Sequence, residues 1–177
     1  HVTFNDSGRQ LEGGELVAFL RGHDLAITGL ERIDETVLSQ LPELRVIGKY
    51  GVGLDMIDMA AMRSYGKRLG WSGGVNRRSV SELVIAFAVS MLRHIPLANR
   101  ELSSGSWKQR PGGLLSGRTI GVIGCGFVGK DLIQLLEPWG CRILAHDIVD
   151  FPDFYSKYKV TPVGLEELLR KSDVVTL

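Results

Sequence analysis

Cysteine is scarce in this sequence: Cys125 and Cys141 are the only two among 177 residues. Two cysteines cannot build a disulfide framework, and no C-x-x-C pair offers metal-ligand spacing. A chain of this length needs no such staples, so a reducing compartment, the cytoplasm, is expected. An excess of charge is lacking too. The formal net charge is +1 and the basic residues are scattered, which argues against a nucleic-acid or anionic-membrane partner. Arg77-Arg78, the densest basic pair, sits among small polar residues and reads as a solvated turn. Long apolar runs are missing. The longest, Leu83–Leu92, is interrupted by Ser90 and falls far short of the ~18–20 residues that span a bilayer. No charged segment followed by an apolar one opens the chain, so no secretory signal is read there.

What is present is ordinary globular composition, 44% hydrophobic and 23% charged, at a length that allows one or two domains. Short strand-like and helix-like runs alternate through the first half. Val2–Phe4, Leu25–Thr28, Leu44–Ile47 and Arg68–Trp71 read as strands. Gly14–Leu20, Asp34–Ser39 and Asp55–Tyr65 read as helices, the last from Ile57, Ala60, Ala61 and Ser64 at helical spacing. Such alternation implies a parallel sheet covered on both faces. Ser79-Val-Ser-Glu82 has capping-box spacing. The helix through Leu83–Leu92 is apolar nearly all round, so burial on most sides is expected. Pro96 disfavours helix at Ile95, and the domain boundary is expected there. A short helix at Leu97–Ser103 and a loop at Ser104–Gly113 follow. The chain opens and stops inside strand-like runs, so an incomplete chain is expected.

The last third carries the motif with chemistry. Thr119–Ile123 reads as a buried strand, and Gly124-Cys-Gly-Phe-Val-Gly129 matches G-x-G-x-x-G. Alone the pattern is weak in a chain with 22 glycines. Context strengthens it: Val128, Leu132, Leu135 and Leu136 mark a helix face, Pro138 and Gly140 end the helix, and Arg142–Ala145 is the next strand. Asp147 closes that strand 18 residues after Gly129, where the dinucleotide fingerprint places an acidic residue. Gly124 permits the tight turn. Gly126 lets a pyrophosphate approach the backbone. Gly129 lets helix and sheet pack closely. The helix N-terminus offers free N–H groups to phosphates. Asp147 accepts from ribose hydroxyls and repels a 2′-phosphate, which favours NAD over NADP. Cys125 and Cys141 read as small buried residues. Leu165–Arg170 reads as a helix and Val174–Leu177 as a strand.

Leu114–Gly129 resembles the cofactor-binding segment of the D-isomer-specific 2-hydroxyacid dehydrogenases. The resemblance runs upstream through Ile47-Gly-Lys-Tyr-Gly-Val-Gly-Leu-Asp-Met-Ile-Asp58, Gly74-Val-Asn-Arg-Arg-Ser-Val-Ser-Glu-Leu83, Met91–Pro96 and Gly105-Ser-Trp107, and downstream through Leu165–Asp173. Within that family it leans to the D-3-phosphoglycerate dehydrogenases, on Arg9-Gln-Leu and Leu20-Arg-Gly22. The resemblance implies an α/β protein: a flavodoxin-like substrate domain, partial, over 1–96, then the first half of an NAD-binding Rossmann domain over 97–177. It implies hydride transfer between NAD and C2 of a D-2-hydroxyacid. The carboxylate would be held by backbone N–H groups around Gly51, Val52 and Gly53, where glycines let the main chain approach an anion. Asn76, with the substrate, and Val80, with the cofactor, would lie near the nicotinamide. Phe127 and Val128 would sit by the pyrophosphate and Asp147 by the adenosine ribose. The family's catalytic Arg, Glu and His fall beyond the last strand read here, so no catalytic residue is assigned. A homodimer is implied, with Leu83–Leu92 and the Trp107 loop near the contact.

The local histidines do not replace the missing groups. His94 reads as packing at the boundary, His23 as a loop residue, His146 as a strand end near the adenosine, and His1 as terminal. Glu82 reads as a cap and Arg93 as part of a structural ion pair. Two other functions stay open on the sequence: an NAD-sensing binding module, since co-repressors share the fold, and a fragment exposing a sheet edge.

Overall fold

A computed structural model describes residues 1–177 as two compact units, His1–Val75 and Asn76–Leu177. The first holds a parallel sheet in the order β1 (Leu25–Thr28), β2 (Val46–Lys49), β3 (Arg68–Gly70). Helices α1 (Gly13–Leu20), α2 (Glu35–Leu38) and α3 (Met59–Ser64) accompany it. Two aspartates decide where helices begin. The Asp34 carboxylate accepts from the Val37 N–H at 3.2 Å, and Asp58 accepts from the N–H groups of Ala60 and Ala61 at 2.9 Å each. The third helix therefore starts at Met59, later than the spacing from Asp55 predicts. Leu16, Ile33, Leu38, Leu41, Leu44, Ile47 and Met62 form the core. Thr28 and Lys49 are register partners at the carboxyl ends of β1 and β2, so the loops after these strands lie side by side. Val2–Phe4 is not a strand. It makes no ladder pairing and its Val2 and Phe4 side chains are exposed; without a partner strand a short apolar run has nothing to bond.

The second unit begins with α4 (Arg77–Leu92) and α5 (Ile95–Ser103). Its parallel sheet has the order β6 (Thr161–Pro162), β5 (Arg142–His146), β4 (Thr119–Ile123), β7 (Val174–Thr176). Helices α6 (Phe127–Leu136), α7 (Pro152–Tyr158) and α8 (Leu165–Lys171) connect the strands. The central strand β4 passes under α8 with no room for a side chain at Gly121. A Cβ there would stand 2.4 Å from Ser172 Oγ and 2.5 Å from Leu168 Cδ2.

Several expectations are corrected here. The units meet at Val75/Asn76 and not near Pro96, because α4 packs on α6 and belongs wholly to the second unit. Pro96 is tolerated in the first turn of α5, where its missing N–H has no role. The break lies at His94, in the left-handed region with φ 55°, and α4 and α5 are bent by 62°. No capping box forms at Ser79–Glu82. The helix already runs from Arg77, and Ser79 Oγ donates to the Asn76 carbonyl at 2.8 Å. Burial of α4 is one-sided. Ser81 and Ala88 are buried, whereas Leu83, Phe87 and Met91, one turn apart, are 51%, 59% and 63% exposed. Arg93 makes no ion pair; its side chain lies across Gly112, where the chain returns past the end of α4 and Gly113 N–H donates to Leu92 O at 2.9 Å.

The contact of α4 with α6 is polar at one end. Asp131 on α6 is 5% exposed and its carboxylate lies 3.0 Å from both Nε and a terminal nitrogen of Arg78, with Arg77 Nε at 3.9 Å. Arg77-Arg78 is thus a clamp and not a free turn. Ser81 Oγ, fully buried, stands 3.2 Å from Val128 O and 3.0 Å from Arg77 O. Removing the main cation strands a buried carboxylate, which costs about 3–5 kcal/mol in a fully enclosed pair. Arg78 is half exposed and Arg77 remains, so Arg78→Met is expected to lower stability by about 2 kcal/mol. Urea denaturation checks this, and Arg78→Met combined with Asp131→Leu should recover most of the loss.

Candidate functional site

The β4–α6 turn is built by three glycines with different duties. Gly124 adopts φ 94°, a region that L side chains avoid, and its N–H donates to His146 O at 2.8 Å. Gly126 is the residue before α6, and a Cβ on it would meet nothing within 4 Å. Gly129 is the opposite case: a Cβ there would lie 2.0 Å from Gly124 O. One glycine turns the chain, one leaves open space, and one admits the helix. Lys130 N–H is bonded to Gly126 O at 3.1 Å. The N–H groups of Phe127, Val128 and Gly129 therefore stand at the open end of the helix, where partial positive charge gathers.

Strand pairing brings Asp147 to this turn, because Ile123 and His146 are register partners. One Asp147 carboxylate oxygen accepts from the Cys125 N–H and the other from the Val149 N–H at 2.9 Å. These backbone donors, Val149 foremost, hold its carboxyl below the usual range. Each oxygen keeps lone pairs for further donors. Phe127 is 59% exposed at the first position of α6. Val128 and Val80 are half-buried, and Ser81 links their two helices through the Val128 carbonyl. Asn76 sits exposed at the head of α4. The fingerprint glycines, Phe127, Val128, Asp147 and Val80 thus all belong to one region of the second unit.

Gly51, Val52 and Gly53 belong to the first unit, in the loop after β2. Gly51 has φ 117°. The Val52 carbonyl accepts from Trp71 Nε1 at 3.1 Å, and Tyr50 N–H donates to Thr28 O at 2.8 Å. The loop is held by its neighbours and leaves a glycine-flanked backbone available to a ligand.

Two participants are not legible in the sequence. Tyr155 of α7, 6% exposed, packs in the same core cluster as Cys125, and burial before all else pushes its hydroxyl up to about 12. Lys130 places its ammonium 3.4 Å from the Phe151 ring centroid, a cation–π contact. Both fasten α7 to the underside of the turn. His146 Nδ1 lies 3.2 Å from Val163 O and His23 Nε2 lies 3.0 Å from Thr3 Oγ1; each ring is occupied locally.

Comparison with known proteins agrees with this geometry. Residues 85–177 match the model of the D-isomer specific 2-hydroxyacid dehydrogenase, NAD binding domain. The chain belongs to that family. It is similar to D-3-phosphoglycerate dehydrogenase 2 of Saccharomyces cerevisiae, at 33% identity over 98% of the chain and 39% of that relative. It is also similar to the glyoxylate reductase of Korarchaeum cryptofilum, at 32% identity over 82% of the chain and 46% of that relative. Among solved structures, the TT0316 protein from Thermus thermophilus superposes with TM-score 0.80 at 29% identity, covering 91% of this chain and 52% of that one. The chain therefore spans two fifths to one half of the length of these members of the 2-hydroxyacid dehydrogenase family.

Cys125 is 0% exposed, and burial raises its thiol above the usual range, which suppresses the reactive thiolate. In the native chain a thiol-disulfide reagent is expected to label Cys141, which is partly exposed, and to reach Cys125 only with denaturant. Rapid labelling of both thiols without denaturant would contradict this packing.

Proposed function

We propose that this chain supplies the cofactor turn and the substrate-anion loop of an NAD-dependent oxidoreductase. The enzyme moves a hydride between NAD and C2 of a D-2-hydroxyacid, on the pattern of the D-3-phosphoglycerate dehydrogenases. The observation that carries this reading is the Gly124–Gly129 turn. It leaves open space above Gly124 and Gly126, ends on a helix N-terminus and has Asp147 beside it. The space and the donors fit a pyrophosphate, and the carboxylate fits a ribose diol.

Each residue then has a task. The Phe127 and Val128 N–H groups face the phosphates, aided by the helix dipole. Asp147 accepts from the ribose hydroxyls and repels a 2′-phosphate, which selects NAD over NADP. Val80 and Asn76, in and before the first turn of α4, serve the nicotinamide side and the substrate. The Gly51–Gly53 backbone receives the substrate carboxylate. NAD, when bound, supplies the hydride chemistry; the protein orients the reactants. Proton exchange at the C2 oxygen is assigned to groups outside these residues. The partners are NAD and a small 2-hydroxy or 2-oxo acid, without nucleic acid or membrane, and two reduced cysteines suit the cytoplasm.

Replacing Asp147 by alanine removes charge-assisted hydrogen bonds and is expected to weaken NAD binding by about 1–3 kcal/mol. A fluorescence titration with NADH measures it, and unchanged affinity would count against the ribose assignment. We also propose a homodimer. The exposed α4 row of Leu83, Phe87 and Met91, and Trp107 at 84% exposure, form the kind of apolar surface that a second subunit covers. Sedimentation at micromolar concentration should show a dimer; a monomer there would remove this assignment.

A further inference from the structure

The loop after β2 has features that forming a turn does not require. The first is a cation. The Lys49 ammonium donates to the Gly29 carbonyl in the neighbouring loop. It also stands 3.9 Å from the point where a Cβ on Gly51 would sit. An ammonium has three donors, so protons remain for a ligand placed over Gly51. The second is polarity. The Asp55 carboxylate lies at the other end, 3.4 Å from the Cβ point of Gly53. Positive charge thus flanks one end of the Gly51–Gly53 backbone and negative charge the other. The third is fixity. Trp71 holds Val52, Thr28 holds Tyr50, and φ 117° at Gly51 suits glycine and no bulky residue.

We propose that Lys49 is a direct ligand of the substrate carboxylate, and that the Lys49-to-Asp55 polarity sets which end of the loop the carboxylate occupies. This rests on the reading of Gly51–Gly53 as the substrate-anion loop. A carboxylate held by main-chain N–H groups alone exchanges water for neutral donors. An ammonium adds a charge-assisted bond of roughly twice the strength. Lys49 is half-buried, so salt screens it less than a surface lysine. Asp55 disfavours the reversed placement by like-charge repulsion. A lysine serving only to tie two loops together would use one proton on Gly29 and would confer no preference for an anion.

The test is a titration of the whole chain with D-glycerate, followed by backbone amide NMR at several salt concentrations. D-glycerate should shift the Gly51, Val52 and Gly53 amides. Lys49→Met should weaken it about tenfold, the size expected for losing one partly screened charge-assisted bond, and should flatten the salt dependence. Lys49→Arg should restore most of the affinity, and Asp55→Asn should tighten binding. Unchanged glycerate affinity in Lys49→Met overturns the proposal while leaving the loop's role intact. Weakening with unaltered salt dependence, and with Gly29 and Gly51 signals already displaced in the ligand-free variant, also overturns it, as the mark of a structural tie. If glycerate shifts no amide of the loop in the unaltered chain, the substrate-loop reading falls and the Lys49 role with it.

Discussion

The second unit depends on how closely α6 approaches the end of β4. A side chain at Gly129 would collide with the Gly124 carbonyl, at 2.0 Å from it, so only glycine lets the helix start where it does. Much else follows from that placement. The open amides of Phe127 and Val128 sit directly beyond a strand end. Asp131, one turn further, comes within reach of Arg78, and the Val128 carbonyl meets Ser81. The position of α4 is thus inherited from a backbone contact in the β4–α6 turn. Lengthening that contact by the width of a methyl group would move the amides, the clamp and the serine together, because close-packed interiors transmit displacement instead of absorbing it.

The elements read correctly from sequence are those whose signal is local. Thr119–Ile123 is an unbroken apolar strand, and Val128, Leu132, Leu135 and Leu136 repeat at helical spacing, so β4 and α6 appear almost residue for residue. The misreadings share another cause. Helix α7 is absent from the sequence reading, although Phe151, Phe154, Tyr155 and Tyr158 recur at i, i+3, i+4 and i+7 and pack in the second core cluster; at seven residues it is too short for the period to stand out. The apolar run in α4 cannot by itself distinguish a face turned to α6 from one turned to solvent. Ser79 and Glu82 have the right spacing for a cap, but the helix has already begun two residues earlier, since Arg77 and Arg78 are drawn to Asp131. Val2–Phe4 has strand composition and lacks a neighbour.

The same division holds for the site. Three glycines and a following aspartate can be found by counting, because their duties are steric and nearly independent of the remaining fold. Tyr155 under Cys125 and Lys49 over Gly51 cannot. Their roles exist only once a helix or a neighbouring loop has been folded back, and tyrosine and lysine occur in many other settings. The clamp at Asp131 escapes sequence reading for a related reason: adjacent arginines are ordinarily solvated, and nothing near them in sequence announces a buried carboxylate on another helix.

The bond from the Cys125 N–H to Asp147 has an entropic consequence. It crosses from the turn to the residue after the next strand and fixes the middle of the glycine-rich segment. Fixing a residue's backbone costs about 1–2 kcal/mol of conformational entropy. Here that cost is met when the chain folds and does not recur when a ligand arrives. Under the proposed function the turn would then receive a dinucleotide as a rigid receptor, with contact energy appearing as affinity instead of being lost to ordering the loop.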